Sequence, residues 1–358
     1  MAEARDTVLI SFPFAAGVLL AAHLPPSFPS FDIALPAVAI LMLLAAAGRL
    51  DRRFSYVLLF FVIGMLGGLT GGSFADSFGT GAGRAISGRA LEFTDSLIKG
   101  IPFEHSGTND LLRALLTGQR DGLDRETVAA FRAAGASHIL ALSGLHLGII
   151  YLLISKLLLI LGNGRIMGVV RSILIFAACA FYSLVTGASP SIVRALLFIG
   201  INELMRHFPG RRKSPLAVWC CALMVQLLVS PSVITSVGFQ LSYLAMLGIF
   251  VIYPPLYAWY PAEGRRKGPV RWIWASMALS ISCQIFTAPL VWKVFGTFPK
   301  YFLLTNLLAL PLTSMLMFSA VACLALSALG ICPGWLVWAV DTFACALQGC
   351  LSIIAELA

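Results

Sequence analysis

Charged residues are scarce in this chain. Of its 358 residues, 11% are charged and 59% are hydrophobic, whereas a soluble domain carries about 25% charged residues. So few ionisable groups cannot cover a water-facing surface, which excludes a cytosolic enzyme, a disordered tail and a secreted disulfide scaffold. The mean hydropathy of +0.91 instead indicates a polytopic helical membrane protein.

Paired cysteines are also lacking. The eight cysteines form no C-x-x-C motif and mostly lie in apolar runs, as is typical of small hydrophobic side chains packed between helices. We therefore expect no metal site, no required disulfide and no cofactor. The N-terminus lacks the basic region of a signal peptide, so the first apolar stretch is expected to be a retained helix.

Long apolar runs are abundant, and proline and glycine clusters separate them. A spanning helix needs about 20 mostly apolar residues. The sequence therefore predicts an all-α membrane protein with about 11 transmembrane helices and an amphipathic extracytoplasmic or interfacial helical segment. The predicted spans are 7–24, 33–48, 54–72, 138–161, 168–186, 191–207, 214–230, 232–253, 272–294, 301–328 and 334–355.

Basic residues distinguish the two sides of the membrane. With the N-terminus inside, the short outside turns hold only Lys293 and Lys300. Cytoplasmic loops of membrane proteins collect Lys and Arg, which predicts that the N-terminus is inside and the C-terminus outside. The basic residues on the inside are Arg5, Arg49, Arg52, Arg53, Arg165, Arg171, Arg206, Arg211, Arg212, Lys213, Arg265, Arg266, Lys267 and Arg271.

One long polar segment, residues 73–137, falls outside. Its second half has the pattern of an amphipathic helix, with Asp124 as the predicted N-cap and Val128 and Phe131 on one apolar face. Such a segment lies in the membrane interface or forms a solvated hairpin packed on the helical core, and both interpretations remain open. The predicted division is N-terminal helices 1–72, extracytoplasmic segment 73–137 and transmembrane core 138–356.

Polar side chains inside the apolar runs carry the most information about function. On a single helix they are explained by hydrogen bonds between helices, worth about 0.6 kcal/mol each, but five predicted spans with a polar face indicate a shared polar interior. An arginine at mid-membrane costs about 2.5–3.5 kcal/mol, so Arg194 must face water or a partner such as Asp341. The candidates are His138, Ser143 and His146 on one helical arc, and Arg194, Gln240, Gln284 and Asn306.

Glycines repeat every four residues in the third predicted span, at Gly64, Gly68 and Gly72. Small residues at this spacing let two helix backbones approach closely. The pattern predicts a helix-packing face. Its partner is either another helix of the same chain or a second copy of the chain in a homodimer.

Several segments resemble the ComEC competence family. Residues 135–146, which read GASHILALSGLH, are similar to the signature of that family. Other segments follow in the family's order, and the resemblance covers about residues 110–320. These segments are Leu116-Thr117-Gly118, Thr186 to Ser191 with Arg194-Ala195, Ser236 to Ser242, Phe295-Gly296, and Asn306 to Leu308 with Pro311.

The resemblance implies an inner-membrane channel that passes single-stranded DNA into the cytoplasm during natural transformation. Fuller members of the family also carry an OB-fold and a metallo-β-lactamase-like nuclease domain. The 73–109 stretch is too short for an OB barrel, and the sequence contains no His-x-His-x-Asp-His cluster, so no nuclease activity is expected of this chain. The implied partners are single-stranded DNA, the lipid bilayer, a separate nuclease and a cytoplasmic DNA-translocating motor.

A corridor for a DNA strand must be polar, with cations for the phosphates. On this hypothesis the polar candidates line the channel, with the two histidines and Ser143 at its outer mouth. An alternative is a proton-coupled or anion-type transporter that uses Arg194 as its anion site and the histidines as proton relays. An intramembrane hydrolase built on Ser143 and His146 would also need an orienting acid and an oxyanion hole, and this span contains no acidic residue. We therefore assign no catalytic residues.

Overall fold

The computed structural model describes residues 2–24, 36, 52–70, 81–162, 164–208, 214–260, 268–296 and 298–357. Every regular element in these ranges is helical, in agreement with the all-α prediction. Some features predicted from the sequence lie outside these ranges. They are the second predicted span at 33–48 apart from residue 36, Gly72, and the basic loop residues Arg49, Arg211, Arg212, Lys213, Arg265, Arg266 and Lys267.

Short 3-10 turns at Leu158–Leu161 and Pro231–Thr235 interrupt the α-helices. Proline stands in the first turn of α10, α12 and α13, where a missing N–H group costs no intrahelical hydrogen bond. The helices are α1 (Ala2–Ala21), α2 (Arg52–Thr70), α3 (Gly81–Gly100), α4 (Ser106–Thr117), α5 (Arg125–Ala133), α6 (Ser137–Leu140), α7 (Gly144–Leu157), α8 (Arg165–Val185), α9 (Pro190–Arg206), α10 (Pro215–Val229), α11 (Val237–Val251), α12 (Tyr253–Ala258), α13 (Pro269–Phe295), α14 (Phe302–Ala328) and α15 (Gly334–Leu357).

In the described part of the chain, four helices are long and apolar enough to cross a membrane, namely Ile166–Val185 within α8, and α13, α14 and α15. Each coincides with a predicted span, and the chain is a helical membrane protein. Shorter apolar helices fall on five further predicted spans. The total of about 11 spans and the orientation of the termini remain predictions.

The fourth predicted span differs from the structure at its start. Residues 137–140 form the short helix α6, and α7 begins only at Gly144. The break arises because Ser143 has extended backbone angles and caps α7, which a continuous helix does not permit. The single helical arc predicted for His138, Ser143 and His146 is therefore wrong.

The chain divides into two compact units, one formed by residues 1–83 and 197–247 and the other by residues 84–196 and 248–358. In unit 1, helices α1 and α2 pack backbone against backbone. A side chain at Gly64 would overlap the carbonyl oxygen of Phe14, and one at Gly17 would overlap that of Phe61. Gly68 lies against Ala21. Glycines of the predicted packing face thus make a contact within the chain, and the homodimer remains a prediction.

A second contact in unit 1 joins α10 to α11. The Trp219 indole N–H donates to the carbonyl of Tyr243 over 3.2 Å, and the Tyr243 hydroxyl donates to Gln226 Oε1 over 2.9 Å. The Phe239 and Tyr243 rings lie 4.6 Å apart. The rings bury apolar area while their polar groups are hydrogen-bonded, as a buried Trp–Tyr pair requires.

The hydrophobic core of unit 2 brings the polar segment onto the membrane helices. Phe131 of α5 and Leu111 of α4 are fully buried in one cluster with Leu316 of α14 and Leu347 of α15. Burying each such side chain contributes about 1.5–3 kcal/mol. Asp124 caps α5 as predicted, accepting the Thr127 N–H at 2.7 Å. The amphipathic segment is therefore packed on the helical core.

Helices α3 and α4 of unit 2 form a hairpin fixed at its open end to α8. The Ser87 hydroxyl donates to the carbonyl of Leu184 over 3.0 Å. The Tyr182 hydroxyl donates to the carbonyl of Leu116 over 2.9 Å. Both contacts involve the last residues of α8, so the opposite end of the hairpin, at residues 101–105, is directed away from them and meets α15.

Candidate functional site

The predicted site residues fall in both units. Gln240 belongs to unit 1, where its Nε2 donates to the carbonyl of Ile234 over 2.8 Å and holds the 3-10 turn before α11. Through this contact Gln240 stabilises the turn, and its predicted position on the channel wall stays a prediction. The other predicted residues belong to unit 2 and are His138, Ser143, His146, Arg194, Gln284 and Asn306.

Ser143 and His146 form a reciprocal cap at the start of α7. The Ser143 Oγ accepts the Leu145 N–H at 3.3 Å, and His146 Nδ1 accepts the Ser143 N–H at 3.2 Å. The Ser143 hydroxyl lies 3.1 Å from the same Nδ1. This is a capping box in which histidine takes the position usually held by Glu or Gln.

The capping contacts determine the state of the His146 ring. Because Nδ1 accepts a backbone N–H, the neutral ring carries its proton on Nε2. His146 is buried, and its Nε2 has no hydrogen-bond partner among the described residues. A hydrolytic dyad needs an acid that orients the imidazole, and the described contacts supply none. The arrangement favours a structural role for the pair over the hydrolase alternative.

His138 lies apart from this cap, on the turn before it. It is exposed, and its Nδ1 donates to the carbonyl of Gly135 over 3.1 Å. Gly135 has φ +75°, a backbone conformation that favours glycine. It also lies so close to Pro299 that a side chain at position 135 would overlap the proline ring. The Thr305 hydroxyl donates to the carbonyl of Ala134 over 2.7 Å, which fixes the turn against the start of α14.

Arg194 is a buried cation in unit 2, with a relative exposure of 9%. A methyl group at Gly144 would lie 3.5 Å from an Arg194 guanidinium nitrogen and 3.4 Å from the Cβ of Ala195. Arg194 is therefore near the start of α7, and Gly144 leaves room for its guanidinium.

The polar faces of α13 and α14 meet as the sequence indicates. Asn306 Nδ2 donates to the Ser280 hydroxyl over 3.3 Å, while Asn306 Oδ1 is buried without a partner in the described part of the chain. Gln284 is half-buried one turn beyond Ser280. Together with Arg194, these residues give unit 2 hydrogen-bonding groups on α9, α13 and α14.

Asp341 has other partners than the arginine suggested from the sequence. It is 4% exposed; its Oδ2 lies 2.7 Å from His105 Nδ1 and its Oδ1 accepts the Thr108 hydroxyl at 2.5 Å. The hydrogen bond and charge of Asp341 raise the pKa of His105. The suggested Arg194–Asp341 pair is thus wrong, because the α3–α4 turn reaches α15. Sequence reasoning missed His105, although an aspartate in an apolar helix requires a partner.

A groove of about 490 Å³ lies between α7 and α14. Gly144 and Gly148 form its floor on α7, and Phe318 and Ser314 line it on α14. Its lining is almost wholly apolar, so it is suited to a hydrocarbon chain rather than to phosphate. We therefore place the polar candidate site at Arg194, Ser280 and Asn306 and not in this groove.

Several known proteins have sequences similar to this chain. ComE operon protein 3 of Bacillus subtilis is 33% identical over 153 residues, which are 43% of this chain and 18% of that protein. Competence protein ComA of Neisseria gonorrhoeae is 30% identical over 207 residues, 56% of this chain and 28% of that protein. Recombination protein 2 of Haemophilus influenzae is 29% identical over 223 residues, 58% of this chain and 27% of that protein.

The chain thus matches less than a third of the length of each of these relatives. No solved structure shows significant similarity to it. The competence protein family pattern matches residues 115–358, a range that contains all the predicted polar site residues of both units. On this evidence the chain belongs to the competence protein family.

Proposed function

We propose that this chain is a membrane channel domain of natural transformation and passes single-stranded DNA into the cytoplasm. Membership of the competence protein family supports a role in DNA uptake. The observation that carries the channel hypothesis is Arg194, a cation buried in unit 2 close to the start of α7.

The chemistry of Arg194 is suited to phosphate binding. Its planar guanidinium presents paired donors to phosphate oxygens. The amide and hydroxyl groups of Asn306 and Ser280 hydrogen-bond each other, and they are groups that can also contact bases or water. A strand that passes such a site exchanges these contacts from one nucleotide to the next.

The predicted topology agrees with inward passage. With the N-terminus inside, the capped turn at residues 138–146 lies at the outer face, where His138, Ser143 and His146 would shape the mouth of the channel. Arg194, Gln240, Gln284 and Asn306 would line its wall. A separate nuclease outside would supply the single strand, and a cytoplasmic DNA-translocating motor would draw it in.

The test uses the full chain reconstituted in liposomes and a fluorescent single-stranded oligonucleotide added outside. Oligonucleotide that enters is protected from an external nuclease. We expect Arg194→Gln to reduce protection at least about tenfold, because a charge-assisted hydrogen bond contributes about 1.5–3 kcal/mol. Arg271→Gln is the control. Arg271 is exposed and its contact with the Tyr257 hydroxyl is also exposed, so its loss should leave protection within about twofold.

The salt dependence of binding gives an independent readout. Loss of one phosphate contact should lower the slope of log K against log salt by about 0.7 for a single strand. An unchanged slope and unchanged protection for Arg194→Gln would contradict the proposal. Flux of a small anion coupled to protons, without oligonucleotide entry, would favour the transporter. Labelling of Ser143 by a fluorophosphonate would favour the hydrolase.

A further inference from the structure

Three metal-ligating side chains from distant parts of unit 2 meet where the α3–α4 turn contacts α15. The ligand atoms of His105, Asp341 and Cys345 all lie within 4.8 Å of one another. Asp341 and Cys345 are four residues apart on α15 and therefore share one helix face. His105 comes from the turn of the hairpin, and its Nδ1 is 2.7 Å from Asp341 Oδ2.

We propose that His105, Asp341 and Cys345 bind a divalent transition-metal ion of the zinc type. An imidazole nitrogen, a carboxylate oxygen and a thiolate sulfur are all ligands of Zn²⁺, whereas Mg²⁺ and Ca²⁺ select oxygen ligands alone. Three protein ligands leave the fourth tetrahedral position to water. The site is separate from the proposed channel residues and does not rest on the DNA-uptake function.

The surroundings of Asp341 resemble the outer shell of a metal site. Its Oδ1 accepts the Thr108 hydroxyl at 2.5 Å, which orients the carboxylate and leaves Oδ2 for the ion. Such outer partners orient ligands in metalloproteins. Asp341 is buried, whereas the side chain of His105 is 63% exposed, so an ion has a route of entry.

Metal binding changes protonation and geometry in a defined way. Metal binding uses the Nδ1 lone pair of His105, so the neutral ring carries its single proton on Nε2, and the thiol proton of Cys345 is released to water. Ligand bonds of about 2.0–2.1 Å at a tetrahedral angle separate nitrogen and oxygen by about 3.4 Å. The His105–Asp341 contact must therefore open by about 0.7 Å, which an exposed histidine side chain accommodates. The bound ion would fasten the hairpin turn to α15.

The test is metal content and Co²⁺ absorption of the full chain in detergent. After loading and removal of free metal, we expect one Zn²⁺ per chain by mass spectrometry, and Co²⁺ should give thiolate charge-transfer bands with tetrahedral ligand-field bands. Cys345→Ser should remove the charge-transfer band, and His105→Gln should weaken affinity at least about tenfold. The matched controls are Cys350→Ser, another half-buried cysteine of α15, and His138→Gln.

Thr108→Val provides a variant that leaves all three ligands in place. We expect it to keep the stoichiometry and to lower affinity about tenfold, as outer-shell changes do. Absence of stoichiometric metal in the loaded wild-type chain would overturn the proposal, and so would equal binding by Cys345→Ser and Cys350→Ser. Because the Co²⁺ spectrum of the wild-type chain needs no substitution, misfolding of a variant does not obscure the result.

Discussion

Helices α1 and α2 of unit 1 and helices α13 and α14 of unit 2 pack by different means. The first pair meets at glycines whose Cα atoms touch the opposite backbone. The second pair meets through the Asn306–Ser280 hydrogen bond, and the amide oxygen of Asn306 has no partner among the described residues. Lipid tails are as apolar as side chains, so van der Waals contact and hydrogen bonds, rather than hydrophobic burial, hold helices together in a bilayer.

The difference separates a structural contact from a functional one. Backbone contact at Gly17 and Gly64 leaves no space for a substrate between the helices. Polar contact at Asn306 keeps groups that can exchange one partner for another. The comparison teaches that glycines packed against an opposite backbone mark a structural contact, and that hydrogen-bonding faces mark the region where a polar substrate is expected.

The largest expected effect is overpacking of the glycine joint. Gly64→Val would drive its side chain into the backbone of Phe14, and we expect it to lower the free energy of unfolding by about 1–3 kcal/mol or more. Gly67→Val is the matched control on α2, because no described atom from another part of the chain lies within 4 Å of a Cβ at that position. Unfolding in detergent, followed by circular dichroism, compares the two. Equal losses would show that the joint is looser than described.

A smaller effect tests whether unit 1 also depends on polar contacts. Tyr243→Phe removes the hydroxyl bonded to Gln226 and should cost about 1 kcal/mol of unfolding free energy. Tyr257→Phe removes an exposed contact to Arg271 and should cost under about 0.5 kcal/mol. The same unfolding measurement applies. If Tyr243→Phe is as mild as Tyr257→Phe, packing alone holds α10 and α11 together.

The smallest effect concerns the polar contact itself. A double-mutant cycle of Asn306→Ala with Ser280→Ala should give a coupling energy of about 0.6 kcal/mol. The control cycle pairs Asn306→Ala with Ser314→Ala. Among the described residues, the Ser314 hydroxyl bonds only the carbonyl of Leu310 on its own helix. That cycle should be additive. Coupling well above about 2 kcal/mol would make the α13–α14 contact a structural joint like that of α1 and α2.

Local features of the fold were predictable from the sequence. The apolar runs of α13, α14 and α15 give helices within a few residues of the expected ends, because proline and glycine terminate them. The Asp124 cap was also predictable, because an N-cap hydrogen bond involves only the first turn of the helix that follows. The break at Ser143 was missed because apolar neighbours on both sides conceal a cap of four residues. A Ser-x-x-His pattern was the available signal.

Partners in space were less predictable. The burial of Arg194 follows from its position in an apolar run, but its neighbour Gly144 belongs to a different helix. A helical wheel predicts the helix face on which Gln240 lies, but it does not predict that its side chain bonds the carbonyl of Ile234. The contact of Asp341 with His105 depends on the path of the α3–α4 hairpin, which periodicity does not specify. Sequence thus indicates which groups need partners, and the tertiary fold selects them.

The contact between His105 and Asp341 also sets an order of events during synthesis. The two residues are 236 positions apart in the chain. At about 5–20 residues per second, the ribosome delivers Asp341 about 10 to 50 seconds after His105. The hairpin turn therefore cannot form its contact with Asp341 until nearly every later helix has been synthesised. Formation of the His105–Asp341 contact requires α15, the last helix of the described chain.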